Sequence, residues 1–455
     1  MNKIKTTVLW MLFDTWKAKK EGLKGIETRQ SKRLADIVAF ARANSPYYQE
    51  LYQELPKQIE DPTCLPVTSK KELMEHFNDF VTDPEVTIEK AQAFVGNPEF
   101  IGVYFLNKYT VATTSGTTGK KGIFLIDERS FKVVGALAFR MMISWLGLGD
   151  FIRILVNRGR LTMINAMGGH FASAIAAVRL KKKRDKRYQV LPVNMPIPDM
   201  VKNLNQFQPI ILAPYASMGP LLASEQEAGR LHINPSLIVL SAEGLPEKEY
   251  QRISRALNAK VYDSYAATEC PFISYRCRYG WLHVNSDWVI LEPVDEDYKP
   301  TPPGKQSYTV LLTNLANKIQ PILRYDLGDS ILQKPEPCKC GNPLPAIRVQ
   351  GRSSDVLTFP ADGEKVSIAP LAFSTVAARI PGIDLFQLVQ TCPTNLRIRL
   401  KLSAGAEPER IWQTILAELA GVLKENRLEN ITLEKAEELP EQTSGGKVRE
   451  VIPLK

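Results

Sequence analysis

The sequence predicts an α/β protein: a large N-terminal α/β domain with a mostly parallel sheet and a β-rich subdomain, then a small mobile α+β C-terminal domain. Three observations carry this. From about residue 150 to 265, short apolar runs alternate with helix-length segments, the pattern of strand–helix–strand units. Between 286 and 333, closely spaced strands are joined by Pro/Gly turns. After Gly351-Arg352 the composition resets, as it does at a domain junction. The expected division is 1–351, with the β subdomain near 286–350, and a lid at 352–455.

Residues 28–44 put Leu34, Ile37, Val38 and Ala41 on one helical face, and Ser45-Pro46 ends that helix. Pro56, Pro62 and Pro66 make the next stretch turn-rich, and a short helix starts near Ser69. Residues 100–127 read as a hairpin around a polar loop. Ile152–Val156 reads as an apolar strand, followed by Gly168-Gly169-His170 and a helix through Val178. Then come a strand at Val190–Val193, a helix at 198–207 and a strand at Ile210–Ala213. Leu237–Leu240 is a strand, 246–257 a helix and Lys260–Tyr262 a strand. Trp288–Leu291 and Tyr308–Thr313 are strands of the β-rich part. The tail reads as strands at 384–390 and 396–402, a helix at 407–425 and a strand at 431–434.

With 455 residues, a formal charge of +9 and 44% hydrophobic residues, the chain has ample core for two or three domains. No apolar run approaches the roughly 20 residues that span a bilayer. Val8–Phe13 follows two lysines, is too short for a signal-peptide core, and reads as a helix packed on the body. Six cysteines in so long a chain do not make a disulfide scaffold, so a reducing, cytoplasmic setting is expected. The dense basic run Lys181–Arg187 lacks interleaved aromatics and reads as a solvated turn rather than a nucleic-acid patch. An anionic nucleotide substrate accounts for positive charge equally well.

The chain is organised around Thr113, Thr114, Ser115, Gly116, Thr117, Thr118, Gly119 and Lys120, set between the apolar runs Tyr109–Ala112 and Ile123–Ile126. Hydroxyls and bare amides suit phosphate oxygens, glycine permits close backbone approach, and the lysine adds a point charge. A plain polar hairpin tip has the same composition. Gly116-x-x-Gly119-Lys120 is too short for a Walker loop.

Three segments follow strand ends: Pro214–Gly219, Ser241–Gly244 and Tyr265-Ala266-Ala267-Thr268-Glu269. In open α/β sheets ligands sit beyond the carboxyl ends of strands. Glu269 there can hold Mg²⁺ through its carboxylate, and Tyr265 can stack on a base; a structural turn is the alternative. In Leu323-Arg324-Tyr325-Asp326-Leu327-Gly328-Asp329 a carboxylate can accept both ribose hydroxyls, unless the segment is a turn with an internal Arg–Asp pair. Gly351–Asp355 reads as a hinge. Near the end, Ser444–Arg449 is a glycine-rich loop able to carry Lys447 into a site on another domain, or a simple tail loop. Cys277-x₅-His283 and Cys338-x-Cys340 form a candidate zinc set of non-standard spacing, against two buried thiols and a satisfied histidine; Cys270 is an alternative ligand.

Together and in this order, these segments resemble the adenylate-forming superfamily of acyl-CoA synthetases, luciferases and peptide-synthetase adenylation domains. SGTTGK matches its phosphate loop, YAATE its Tyr-Gly-x-Thr-Glu motif, and RYDLGD its ribose-binding motif. GRSSD looks like its hinge, and SGGKVR like its C-terminal lysine motif. The resemblance covers residues 100–455; NSPYY at 44–48 and CKCG at 338–341 extend it to the phenylacetate–CoA ligase and CapK-like branch. It implies ATP, Mg²⁺ and coenzyme A, and formation of an acyl-adenylate followed by a thioester. It implies that Thr114–Lys120 hold the phosphates, Glu269 holds Mg²⁺, and Asp329 binds the ribose. Lys447, with Glu269 and Thr268, would be catalytic. Ala242, Glu243 and Gly244, Asp263, Ser264 and Tyr265, and Arg352 would border the nucleotide. Tyr215, Met218, Ala266, Gly168 and His170 would border the acyl group. For Cys277, His283, Cys338 and Cys340 it implies a closed, structural Zn²⁺ site. Three departures stand out: Ala266 replaces a usual Gly and narrows the acyl pocket, Lys121-Gly122 replaces Lys-Pro, and Ser353-Ser354 replaces Ser-Asp.

The implied substrate is a small-molecule carboxylic acid, aromatic by family analogy. The acceptor is CoA, with another thiol, an amine or a carrier protein as the alternative. An inactive nucleotide-binding homologue is a further reading, because fold does not guarantee activity. No nucleic acid and no membrane span are expected, and a homodimer stays open.

Overall fold

Parallel pairing at the heart of the molecule follows from strands that are apolar on both faces, since helices cover each side. The computed structural model describes residues 7–114, 122–165, 170–182, 185–193, 195–241, 244–352, 356–361, 364–368, 370–378, 380–441 and 448–454. Among the described residues, a nine-stranded sheet runs from Asp329–Gln333 through Ala346–Arg352, Leu282–Val284, Ser274–Arg276, Lys260–Tyr265, Leu237–Leu240, Ile211–Pro214 and Leu161–Asn165 to Tyr188–Pro192. The last five are parallel, and the first four pair antiparallel. Helices Ala172–Lys182, Ile197–Phe207, Met218–Glu227 and Glu247–Leu257 make the crossovers. Tyr188–Pro192 lies on one side of Leu161–Asn165, and the next strand in the chain, Ile211–Pro214, lies on the other. The winding reverses there, and such a reversal opens a crevice at the carboxyl ends of the two strands.

Two smaller sheets adjoin it. The hairpin Thr110–Thr113/Ile123–Ile126 is fully buried and antiparallel, as the sequence implied for the arms of the polar loop. Val289–Val294, Thr309–Asn314 and Tyr325–Asp326 form a three-stranded sheet. The second is the centre of the β-rich part, and Asp329–Gln333 and Ala346–Arg352 join that part to the large sheet.

The first helix is longer than its legible stretch. It spans Val8–Asn44, bends at Gly22 (φ 71°), and is capped by Thr7, whose hydroxyl accepts from Trp10 N. Its buried stripe includes Leu34, Ile37, Val38 and Ala41, as periodicity implied. Charges fasten it to the body. Arg33 meets Asp14 and the Asp287 carbonyl and stacks 3.5 Å from the Trp288 ring, while Arg140 donates to the buried Asp287 carboxylate at 2.9 and 2.5 Å. Ser69 caps the helix Lys70–Glu75 from its expected position.

Ile152–Val156 is not a strand. It is the end of a helix, Leu148–Val156, whose start is fixed by Gly147 N donating to Asp150 at 2.8 Å. The strand of this region is Leu161–Asn165 instead. A five-residue run with four apolar residues around Arg153 fits either state by periodicity, and the Asp150 cap decides for helix.

The C-terminal α+β domain has its own core, in which Leu357, Phe359, Phe373, Leu388, Ile398, Ile415 and Leu419 are buried together. Its sheet is ordered Thr432–Lys435, Asn395–Leu402, Ile383–Cys392 and Val451–Ile452, and Pro408–Glu425 packs on it. The hairpin Leu357–Ala361/Glu364–Ile368 and the helix Pro370–Ala378 left no legible signal in the sequence.

Candidate active site

Four strands deliver the candidate residues at one edge of the sheet. Asn165 ends one strand, and Tyr215 follows Pro214 on the next, with Tyr215 N bonded to Ile164 O at 3.1 Å. Tyr215 bridges in turn to Ser241, beyond Leu237–Leu240, and Tyr265 ends Lys260–Tyr265. Parallel register alone brings these positions together.

Tyr265 donates its hydroxyl to Asp329 at 2.6 Å, so the aromatic ring and the carboxylate expected at base and ribose are joined. Asp329 pairs across the sheet with Arg352, whose backbone therefore lies beside it. Glu269 is buried four residues after Tyr265; it accepts from the Tyr325 hydroxyl at 2.9 Å, and Asn314 donates to its carbonyl at 3.1 Å. Burial and the neighbouring Glu269 carboxylate hold Tyr325 well above its ordinary pKa, so it stays a donor to Glu269. Thr268 sits in a tight turn closed by the Ala267–Cys270 bonds of 3.0 and 3.1 Å, with Ala266 exposed at its entry.

The Arg324–Asp329 segment has no internal Arg–Asp pair. Arg324, held at φ 46°, donates to Glu292 and to the carbonyls of Thr63 and Leu65. Asp326 accepts from Thr309 at 2.6 Å and from Tyr298 at 3.0 Å. Asp263 is engaged elsewhere: its two oxygens accept from Tyr250 at 2.7 Å and Arg276 at 3.4 Å. That arrangement ties strand to helix, and no local pattern signals it. Ser264 pairs with Tyr275 in the sheet, and Gly244 is exposed.

Ser115–Lys121, Gly168, Ala242, Glu243, Ser353–Asp355 and Lys447 lie outside the described residues. The bases of two of those loops are nevertheless visible. Thr114 N donates to Gly122 O at 3.0 Å, and Gly122 N donates to the Thr114 hydroxyl at 2.9 Å, a reciprocal clamp below Ser115–Lys121. Below the lysine loop stands Gln387, which sequence reasoning missed. Its buried amide donates to Glu441 O (3.2 Å) and Arg449 O (3.0 Å) and accepts from Glu441 N (3.1 Å) and Arg399 (2.9 Å). A mid-strand glutamine reads as a surface residue until its strand's neighbours are known.

On the acyl side, Tyr215 and Met218 are buried, and the Tyr215 hydroxyl meets Ser173 Oγ at 3.1 Å. Asn165 is a second missed residue. It is 1% exposed, and among the described residues neither side-chain amide atom has a hydrogen-bond partner. His170 is buried with Nε2 3.3 Å from Asn97 O, and its carbonyl accepts from Thr113 N at 2.8 Å. Burial pushes the His170 imidazole below its ordinary pKa. Its folded-state value lies under its unfolded one, so its stabilisation is complete above about pH 6.5 and is lost as pH falls through the folded value. Melting temperature should therefore fall less between about pH 7 and 5 in His170→Gln than in the parent protein. Parallel curves would show that His170 carries none of the acid sensitivity.

Cys277, His283, Cys338 and Cys340 converge, with all four ligand atoms within 4.8 Å of one another. Two turns present them. Gly280 (φ 75°) closes Cys277–Gly280, and Gly341 (φ 80°) closes Cys338–Gly341, each with a 3.0 Å backbone bond. The Cys277–Cys338 sulfurs are 3.7 Å apart, too far for a disulfide and close to the tetrahedral edge of about 3.8 Å set by zinc–sulfur bonds of about 2.3 Å. His283 Nδ1 lies 2.8 Å from Leu344 O, which leaves Nε2 facing Cys340 at 3.1 Å as the ligand atom. Cys270 is not in this cluster; it is buried elsewhere, with its thiol pushed up to about 12 by burial.

Comparison with known structures shows similarity across nearly the whole chain. A 2-hydroxyisobutyryl-CoA ligase in the postadenylation state, in complex with 2-HIB-AMP, superposes with a TM-score of 0.66 at 21% identity, over 95% of this chain and 89% of that one. The chain has the fold of the adenylate-forming ligases. The anthranilate CoA ligase AuaEII, in complex with anthranoyl-AMP, shares this adenylate-forming fold with a TM-score of 0.54 and 18% identity, over 74% of this chain and 64% of that one. In sequence, Protein CapK of Staphylococcus aureus is 25% identical over 447 residues, 93% of this chain and 88% of that protein. No family model matches the chain.

Proposed function

We propose that this protein is an ATP-dependent carboxylate ligase that forms an acyl-adenylate, releases pyrophosphate, and passes the acyl group to coenzyme A. The observation that carries the reading is the Tyr265–Asp329 bond with Glu269 four residues on: Tyr265 closes its parallel strand, and Asp329 opens the antiparallel strand Asp329–Gln333. In the first half-reaction a carboxylate oxygen bonds to the α-phosphorus of ATP and the bond to pyrophosphate breaks. In the second, the CoA thiol loses its proton, sulfur bonds to the acyl carbon, and AMP leaves.

The chain's work is positioning and charge compensation. Asp329, aligned by Tyr265, receives the ribose hydroxyls. Thr114–Lys120 cradle the phosphates. Glu269 is the carboxylate that would hold Mg²⁺, a hard cation that takes oxygen ligands and offsets phosphate charge. Lys447 would meet the developing charge between carboxylate and α-phosphate. Arg352–Asp355 would be the hinge on which the lid of 352–455 turns. Cys277, His283, Cys338 and Cys340 would hold a structural zinc. ATP–pyrophosphate exchange against a panel of carboxylic acids tests the reading. Acid-dependent exchange supports it, CoA-dependent AMP release separates a thiol from an amine acceptor, and no exchange with any acid sinks it.

Asn165 refines the substrate. An unpaired buried amide costs about 1–3 kcal/mol, which a hydrocarbon acid leaves in place and a hydroxyl- or amide-bearing acid relieves. Asn165→Leu should lower kcat/KM for the polar acid of a matched pair by about tenfold to a hundredfold, and leave its deoxy partner unchanged or improved. Equal loss for both acids would assign Asn165 a packing role.

A further inference from the structure

The helix Leu148–Val156 has no buried residue. Leu148, Phe151, Ile152, Leu155 and Val156, with Ile143 of the preceding helix Glu128–Trp145, are between 36% and 81% exposed. Single exposed apolar side chains are ordinary, but six within fourteen residues make a patch of the kind that marks an interaction surface. The helix has nine residues and meets the preceding one at a bend of 112°, so this is not a straight segment of the roughly 20 residues that would cross a bilayer.

Charge rims the patch. The chain leaves the helix through Arg158 and Arg160 into the strand Leu161–Asn165. Leu161 N donates to Arg187 O at 2.9 Å, which sets the end of the basic run Lys181–Arg187 at the foot of the same strand. That run holds six basic residues and one acidic, and the acidic Asp185 is held by Arg187 at 2.8 and 2.9 Å. An apolar helix face lying beside lysines and arginines is the pattern of an element that rests in a membrane interface. Two copies of this chain meeting face to face on the patch would instead bring like charges together.

We propose that the face of Leu148–Val156, with the exposed Lys182, Lys186 and Arg187 toward the amino end of the strand that follows it, docks on an anionic lipid bilayer. The surface lies at the amino end of the strand whose carboxyl end carries Asn165, so docking leaves the candidate site open to solutes.

Flotation of the full chain with vesicles tests this. Protein should float with vesicles of phosphatidylglycerol and phosphatidylcholine, stay behind with phosphatidylcholine alone, and be released by salt. Phe151→Glu/Leu155→Glu should lower the bound fraction by at least about tenfold, and so should Lys182→Glu/Lys186→Glu. Both pairs should leave the far-ultraviolet spectrum, the melting temperature and any acid-dependent exchange unchanged, because none of these side chains is buried. Equal recovery with both vesicle types, or no recovery with either, would overturn the proposal. So would a parent protein that does not bind vesicles and runs as a dimer that Phe151→Glu/Leu155→Glu makes monomeric, which would assign the face to a second copy.

Discussion

Cys338→Ser should purify with far less than one zinc per chain and melt about 5 °C below the parent protein. The reasoning starts from geometry: four donors within 4.8 Å, carried on two glycine-closed turns, with His283 fixed by Leu344 O. A structural zinc contributes its binding energy to the folded state directly. Loss of one ligand leaves the other buried donors uncompensated, about 3–5 kcal/mol as for a broken buried ion pair, and each kilocalorie is about 1–2 °C in a unit of about 350 residues. Cys64→Ser, at an exposed cysteine outside the cluster, is the control and should change nothing. Chelator-washed protein that contains no metal and keeps its melting temperature and activity would eliminate the zinc.

Lys447→Ala should reduce ATP–pyrophosphate exchange by about 10²–10³, the usual loss on removing one preorganised charge contact to a transition state. The fold should be intact, because Gln387 holds the loop's two ends at Glu441 and Arg449. Gln387→Leu separates placement from charge. It keeps Lys447 but releases Glu441 and Arg449, so exchange should fall by about tenfold with a larger effect on kcat than on KM. Wild-type exchange in Lys447→Ala at saturating substrate would remove the lysine from the mechanism. A Gln387→Leu protein with unaltered kinetics but a lowered melting temperature would make Gln387 structural only.

The parallel layer was legible because its strands are short apolar runs and its helices amphipathic; Leu237–Leu240 occurs where the pattern put it, and its neighbours differ by a residue or two at most ends. The run at 152–156 failed because an exposed apolar helix breaks the rule that apolar residues face inward, so composition pointed to a buried strand. Motif residues such as Tyr265, Glu269 and Asp329 were legible as local chemistry. Their partners were not: Tyr325 lies 56 residues from Glu269, and Asp329 lies 64 from Tyr265. Asn165 and Gln387 acquire meaning only from strand register, which no local window contains. Asp263 is likewise a motif neighbour whose partners, Tyr250 and Arg276, lie 13 residues away on either side.

The attachment of the first helix also sets an order of events during synthesis. Gln30 bonds to Ser286 O, Tyr48 to Pro321 O, and Thr68 to Leu323 O, separations of 256, 273 and 255 residues. Contacts so distant in the chain form late, since loop closure precedes any reward. A nascent chain emerging from the ribosome can pack the first helix on Glu128–Trp145 early, but the cluster that Leu34, Ile37, Val38 and Ala41 share with Trp288, Leu312 and Tyr325 stays incomplete until residues near 325 have been made. Fragments ending before about residue 285 lack the later part of that cluster, so they are the forms that chaperones would hold and proteases would clear.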